Sequence, residues 1–362
     1  MAIREESYAE FSSRLHDKCA NARVPVNIDY DVTYRCNLNC RHCYCNLPAD
    51  DQVARTAELS ASRAGDILEQ ARALGVLWIL FTGGEPLLKP DFKDIYLIAR
   101  GLGLLPTVFT NGVLMDEEWG DFFSEHRPFK LEITLHSMES EVYESVTRAP
   151  GSYNRCMNGI RLLVARKVPL VLKTVVTRTN RCALADVRGF AAELGCSFRY
   201  DFLIHARYSD LPREGQPDPR DERIGVDDAL AADRQDDKRA QGIKNICNRL
   251  RGITHRQDKF LTCGAGKTAF NLDPYGMVRP CGMLRGMSFD PFVHSLRDIW
   301  DDRLSAVSSM PAARPAECAG CHLGPMCMNC AGWASVETGR YDGWIPYVCE
   351  ISKTRAEVFA GT

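Results

Sequence analysis

The sequence has no apolar run approaching the roughly 20 residues needed to cross a bilayer; stretches such as Val76 to Phe81 are far shorter. Its opening, MAIREESYAEF, is charged and lacks the apolar segment of a secretory signal. It also lacks an excess of either charge. With 45 basic and 47 acidic residues the net charge is −2, so no global positive field draws in nucleic acid or an anionic membrane. These absences predict a cytoplasmic chain with no membrane partner and argue against a nucleic-acid partner. The composition is that of a globular protein, 45% hydrophobic and 25% charged, which excludes disordered, collagen-like and coiled-coil readings. At about 150 residues per domain, 362 residues predict two domains, or one with an appendage.

Cysteine is plentiful, at sixteen residues. In a reducing compartment clustered thiols bind metal or do redox work more often than they form structural disulfides. Ten of them fall into two groups: Cys36, Cys40 and Cys43, then Cys263, Cys281, Cys318, Cys321, Cys327, Cys330 and Cys349. The others, Cys19, Cys45, Cys156, Cys182, Cys196 and Cys247, read as small buried hydrophobes.

Between Asn27 and Ile204 short β-rich runs alternate with amphipathic stretches, the pattern of repeated βα units around a parallel sheet. Six strands are predicted: Asn27 to Thr33, Leu77 to Phe81, Leu105 to Thr110, Lys130 to Leu135, Leu170 to Val176 and Phe198 to Ile204. Helical spacing over Ser60 to Leu74 and Ala183 to Leu194 ends near Gly75 and Gly195. Six such units form a partial barrel or a doubly wound sheet, and in either case ligands gather at the C-terminal strand ends. The stretch from Arg207 to Arg239 is rich in charge and proline and predicts an exposed linker, followed by a bridging helix over Gln241 to Ile253. The resulting division is an N-terminal segment (1–26), a barrel (27–206), a linker with bridging helix (207–256), a cysteine-rich region (257–355) and a tail (356–362).

Cys36, Cys40 and Cys43 follow the first strand, which presents three thiolates at its C-terminal end. A [4Fe-4S] cluster usually takes four thiolates, so three leave one iron open. A zinc site is the alternative, although structural zinc wants four closed ligands. After the second strand comes Thr82-Gly83-Gly84-Glu85-Pro86, where two glycines permit close backbone approach and the Glu85 carboxylate suits a cationic amine.

Together, C-x3-C-x2-C after the first strand and GGEP after the second resemble the radical S-adenosylmethionine (radical SAM) superfamily, over roughly Asn27 to Ile204. The resemblance implies a partial (β/α)6 TIM-type barrel in an α/β chain. It implies a [4Fe-4S] cluster on Cys36, Cys40 and Cys43 whose fourth iron is chelated by S-adenosyl-L-methionine. His42 fills the motif's aromatic position. Gly83, Gly84 and Glu85 are then expected at the methionyl group, and Thr134 at the ribose. Asn111 lies in a Thr110-Asn111-Gly112 turn common in relatives, and Lys173 and Arg148 are further cofactor contacts.

In the C-terminal region Asp273-Pro274-Tyr275-Gly276 is a turn signal, and a hairpin around it brings Cys263 and Cys281 together. Gly264-Ala265-Gly266-Lys267-Thr268 imitates a phosphate loop, but the required first glycine is Leu261 and a hairpin follows rather than a helix. Paired C-x2-C knuckles suit zinc, yet seven thiols fit two closed zinc sites badly. Beside the barrel motifs the pattern resembles the SPASM extension, a cysteine-rich domain of hairpin, loops and short helices with two auxiliary iron-sulfur clusters, expected as [4Fe-4S]. The resemblance assigns Cys263, Cys281 and Cys330 to auxiliary cluster I, one ligand short. It assigns Cys318, Cys321, Cys327 and Cys349 to auxiliary cluster II. The departure is that two residues, rather than the usual three, separate Cys327 from Cys330.

The resemblance implies reductive cleavage of S-adenosylmethionine to a 5′-deoxyadenosyl radical that abstracts hydrogen from a substrate. Members with this extension mostly modify ribosomally made peptides or proteins by crosslink, thioether, epimerisation or oxidation. Maturation of a tetrapyrrole or other small molecule is the second reading, and a non-catalytic iron-sulfur or zinc protein the third. About 26 residues before the first strand are too few for a winged peptide-recognition domain, so a separate leader-recognition protein is a possible partner. An external electron donor such as flavodoxin or ferredoxin is expected. Asp201, His205 and Arg207, at or after strand six, are weak acid-base candidates for which structural roles weigh more.

Overall fold

In the computed structural model residues 7–250, 260–312, 316–318, 321, 323 and 327–360 are described. Six strands, β1 (Asn27–Thr33), β2 (Trp78–Gly83), β3 (Leu105–Thr110), β4 (Lys130–Thr134), β5 (Leu170–Val175) and β6 (Ser197–Asp201), form the barrel wall. Each pairs in parallel with the next. The sheet order never returns β6 to β1, so the barrel is open. All six predicted strands are present with their ends shifted by a few residues; the sixth stops at Asp201 rather than Ile204, because the Asp201 carboxylate accepts from the Phe202 and Leu203 N–H groups and turns the chain.

The connecting helices bury their apolar faces against the sheet. Ala61–Leu74 starts on the Ser60 hydroxyl and stops at Gly75, whose φ of 111° only glycine adopts easily. In β1 the sequence NIDYDVT alternates. Ile28, Tyr30 and Val32 join Phe81, Phe92 and Tyr96 in the core beneath the helices, and Asp29 and Asp31 line the barrel's cavity. The helix Tyr8–Ala22, begun by a Ser7/Glu10 capping box, covers the other end of the barrel. There His16 stacks on Trp78 at 5.3 Å and bonds to Asn27 at 2.9 Å, and with Tyr8 it lines a second cavity of about 340 Å³.

The predicted hairpin exists as β7 (Ala269–Leu272) and β8 (Val278–Arg279), with Asp273 accepting from Tyr275 and Met277 N–H groups inside the turn. It continues the barrel sheet, because β7 runs parallel to β1 on the side away from β2, pairing Asn27 with Ala269 through Tyr30 with Leu272. Gly264 to Thr268 leads into this strand and not into a helix.

One expectation is corrected. The stretch 207–239 is packed on the molecule, with Tyr208, Leu211, Ile224, Ala229, Leu230 and Ala232 buried and a helix over Val226–Arg234. Several of its charges are held in ion pairs. Asp233 meets Arg239 and Arg355 at 2.7 Å, and Arg223 bonds Glu337. The bridging helix starts earlier than predicted, at Asp237, and runs to Leu250; Arg251 to Ile253 lie outside the described residues. Among the described residues no helix is long and apolar enough to cross a membrane.

Candidate functional site

The C-terminal ends of the strands enclose a cavity of about 390 Å³, a volume suited to a cofactor-sized ligand. Cys36, Cys40 and Cys43 all line it, together with His42, Gly83, Gly84, Asn111, Thr134, Lys173 and His205. Residues 27 to 205 of the sequence thus converge on one space. Among the described residues no three His, Cys, Asp or Glu side chains close tightly enough to hold a single metal ion. Thiolates sharing one zinc each stand about 2.3 Å from it, whereas ligands to separate corners of an iron-sulfur cluster stand farther apart. Three thiols on one cavity wall supply three of the four ligands a [4Fe-4S] cluster takes and leave its remaining iron open to another ligand.

The thiols are braced from several sides. Asn111 Nδ2 points at Cys36 Sγ at 3.7 Å and bonds Asn37 Oδ1 at 2.8 Å, while the Leu38 N–H approaches the same sulfur at 3.4 Å. Just ahead of Cys36, Arg35 forms a buried two-point pair with Glu58 at 2.8 and 2.9 Å. Burial raises the Cys36 and Cys40 thiols. Cys43 is lowered to about 6, first through a hydrogen bond from Cys45, which is itself raised by that bond. Cys45 is buried beside the Gly83 carbonyl.

The glycines of the second motif owe their identity to backbone packing. Gly83 has φ +118°, and a Cβ on it would stand 2.3 Å from the Thr33 carbonyl oxygen; one on Gly84 would stand 2.3 Å from that of Arg35. Gly84 N–H donates to Thr33 O at 2.6 Å and Glu85 N–H to Arg35 O at 2.9 Å. The turn is thereby locked to the strand that delivers Cys36. Glu85 departs from its expected place, because it is fully buried and does not line the cavity. Its carboxylate accepts from Leu87 N–H at 3.1 Å, Thr110 Oγ1 at 2.7 Å and Asn111 N–H at 2.7 Å. Burial lifts it to about 7 against those three bonds. It ties the second loop to the third and so aims Asn111.

Thr134 and Lys173 face each other across the β4/β5 register, and the Lys173 ammonium lies 5.6 Å from the Phe109 ring centre. Arg148 is elsewhere. It is exposed, and its guanidinium donates to Gly215 O at 3.0 Å. Of the three acid-base candidates only His205 lines the cavity, with Nδ1 on Ala206 O at 2.8 Å and its ring stacked on Tyr208. Asp201 caps backbone groups, and Arg207 bonds the loop that carries Cys43.

Sequence reading missed His136, Asp29, Asp31, Asn271 and Met283, all lining the cavity. His136 meets His42 edge-on at 5.0 Å, and the buried Nδ1 of each ring has no partner. Its signal was available, since residue 136 lies two beyond Thr134 and so on the same side of the extended chain. Asp29 and Asp31 were legible from the β1 alternation. Asn271 and Met283 belong to the hairpin region, whose junction with β1 no local signal announces.

Cys281 also lines the cavity, and the charges of Cys330 and Cys263 add to the burial that pushes it up to about 12. Of Cys263, Cys281 and Cys330, Cys281 alone lines the cavity, with the other two near enough for their charge to act on it. Cys318, Cys321, Cys327 and Cys349 lie farther along, and much of the stretch between Cys318 and Cys327 is outside the described residues. Of the thiols expected to be buried, Cys182 is exposed.

These residues suit a sulfur-ligated cluster with an organic ligand beside it: three cavity-facing thiols, donors aimed at one sulfur, a glycine turn packed on the strand that delivers the first thiol, and two unpartnered imidazole nitrogens.

The family description Radical SAM superfamily matches residues 30–188. The PqqA peptide cyclase of Gluconobacter oxydans is 28% identical over 260 residues, covering 71% of this chain and 70% of that protein. The AdoMet-dependent heme synthase of Methanosarcina barkeri is 24% identical over 342 residues, covering 91% and 97%. Among solved structures, Streptococcus suis SuiB bound to S-adenosylmethionine aligns with a TM-score of 0.67 at 16% identity over 96% of this chain and 84% of that one. SuiB bound to its precursor peptide SuiA aligns at 0.66.

Proposed function

We propose that this chain is a radical SAM enzyme, and that it is a maturation enzyme acting on a ribosomally synthesised peptide or protein. The observation that carries the chemistry is the single cavity joining the Cys36, Cys40 and Cys43 thiols to the Gly83-Gly84 turn. The peptide substrate is supported by the relationship to PqqA peptide cyclase and by a fold shared with SuiB, a protein solved with its precursor peptide.

When bound, the cluster supplies one electron for cleavage of S-adenosylmethionine to methionine and a 5′-deoxyadenosyl radical, which takes a hydrogen atom from the substrate. The chain's own residues do the rest. The three cysteines hold the cluster, and the Gly83-Gly84 turn, Thr134, His42, His136 and Lys173 form the cofactor's surroundings. Glu85 and Asn111 fix the loops on which that cavity depends. Cys263, Cys281 and Cys330 with one further ligand, and Cys318, Cys321, Cys327 and Cys349, are assigned to two auxiliary clusters. Cys281 lines the cavity, so the first of these would supply an acceptor for the electron left on a substrate radical. An external donor of the flavodoxin or ferredoxin type and a separate leader-recognition protein complete the reading.

A second reading, tetrapyrrole maturation, is favoured by the nearly full-length match to the heme synthase. The experiment is anaerobic reconstitution followed by dithionite, S-adenosylmethionine and either precursor peptides encoded beside the gene or tetrapyrrole precursors. Formation of 5′-deoxyadenosine with a mass change on a peptide supports the proposal. A change on the tetrapyrrole alone replaces it with the second reading, and no 5′-deoxyadenosine removes both.

A further inference from the structure

The segment after β6 crosses over the loop that carries the cysteine triad, and three of its side chains end on that loop's backbone. Arg213 Nη1 donates to Leu38 O at 3.3 Å and Gln216 Nε2 to Cys40 O at 2.7 Å. Arg207 Nη1 donates to Asn46 Oδ1 at 2.8 Å and to Cys43 O at 3.4 Å, its Nη2 bonds Asn46 O, and its Nε closes back on Leu211 O at 2.7 Å. The backbone joins in, with Tyr208 N–H on Tyr44 O at 2.9 Å. Between Leu38 and Asn46, then, the carbonyls of Leu38, Cys40, Cys43, Tyr44 and Asn46 are held by one short segment about 170 residues later in the sequence.

Two of the three side chains are guanidiniums. The charge of Arg213 acts on Cys36, Cys43 and Cys40, and that of Arg207 on Cys43 and Cys45. Both are half-buried, where screening by water is weaker than at a free surface. Neither lines the cavity, so neither is placed to touch substrate.

We propose that residues 207–216 are a strap that fixes the cysteine loop in its cluster-holding shape, with Arg207 and Arg213 as positioning residues whose charge raises the reduction potential of the cluster. The inference rests on the radical SAM reading above. Reduction adds an electron to a group already surrounded by three thiolates, and a fixed cation nearby stabilises the reduced form more than the oxidised one. Gln216 shares the mechanical task and carries no charge, so the two effects separate by residue.

The test is an EPR-monitored redox titration of the full-length, anaerobically reconstituted protein, following the signal that changes when S-adenosylmethionine is added. Arg213→Gln is expected to lower the midpoint potential of that signal, and Arg213→Lys to leave it near the wild-type value. Gln216→Ala is expected to leave the potential in place while loosening residues 38–46, seen as faster amide hydrogen exchange and faster iron loss to a chelator. Equal potentials in wild type and Arg213→Gln would overturn the charge assignment, as would an equal fall in Arg213→Lys. Unchanged exchange in Gln216→Ala would overturn the strap. Failure of the wild-type protein to form any cluster responsive to S-adenosylmethionine would instead overturn the functional reading itself.

Discussion

Single atoms decide the site's tolerance at Gly83 and Gly84. A methyl group at either would be driven to 2.3 Å from a carbonyl oxygen of the strand-to-loop segment 33–35, and at Gly83 it would also meet a φ of +118°. Neither obstacle is the movable end of a side chain. Gly83→Ala and Gly84→Ala are each expected to destabilise by at least about 2 kcal/mol and to weaken S-adenosylmethionine binding, as read by denaturant titration and calorimetry. Wild-type stability in both would refute the packing account. A different residue-scale effect belongs to Asp31, whose carboxyl burial pushes up to about 6 from an ordinary 3.8, against an opposing hydrogen bond from Asn271. Between those values the folded protein keeps a proton that the unfolded chain releases, so stability contributed here falls as pH rises through that window. Its Oδ2 accepts from Asn271 at 3.1 Å and Tyr34 at 3.4 Å, which an asparagine carbonyl reproduces. Asp31→Asn is therefore expected to gain on the order of 1–3 kcal/mol at pH 8 and about half as much at pH 5. Denaturation curves at the two pH values measure this, and a loss at pH 8 would contradict it.

At the scale of elements, the decisive contact is the hairpin seated on the barrel. The side of β1 away from β2 would be an open edge of unpaired N–H and C=O groups; β7 covers it, and Asn271 Nδ2 reaches across to Asp29 O at 3.0 Å and to the Asp31 carboxylate. Asn271→Ala should cost about 1–3 kcal/mol through the unmet acceptors. A chain ending at residue 250 should aggregate, because the edge is then bare; a soluble, monomeric barrel by size-exclusion chromatography would show that the wall is complete without the hairpin. This is also where sequence reading stops. Six strands and the cysteine and glycine loops at their ends follow from local periodicity and turn chemistry, and so does the hairpin's own turn. What the hairpin pairs with depends on a contact spanning some 240 residues, from Asp29 to Asn271, and leaves no local trace. The strap over residues 207–216 was hidden for another reason. Its arginines are spent on backbone carbonyls and carboxylates, and composition alone reads such residues as solvated. Glu85 shows the same limit at close range, since its motif was legible but its three internal donors were not.

At the scale of the whole molecule, Cys281 brings the C-terminal cysteine region to the cavity of the N-terminal triad. It lines the cavity that holds the Cys36, Cys40 and Cys43 thiols, and its neighbours Cys263 and Cys330 belong to the C-terminal region. If the three expected clusters are each [4Fe-4S], the reconstituted protein holds about twelve irons. Replacing Cys36, Cys40 and Cys43 together by alanine should bring this to about eight and abolish 5′-deoxyadenosine formation. Replacing Cys263, Cys281 and Cys330 should also leave about eight irons, but with S-adenosylmethionine cleavage retained and product formation on the substrate lost. One thiol group would then start the radical and the other settle its electron. About four irons in the unaltered protein would leave the first role standing and remove the second. Loss of cleavage in the Cys263, Cys281 and Cys330 variant, with the first cluster intact by EPR, would mean that the hairpin thiols serve the cavity's shape rather than its electrons.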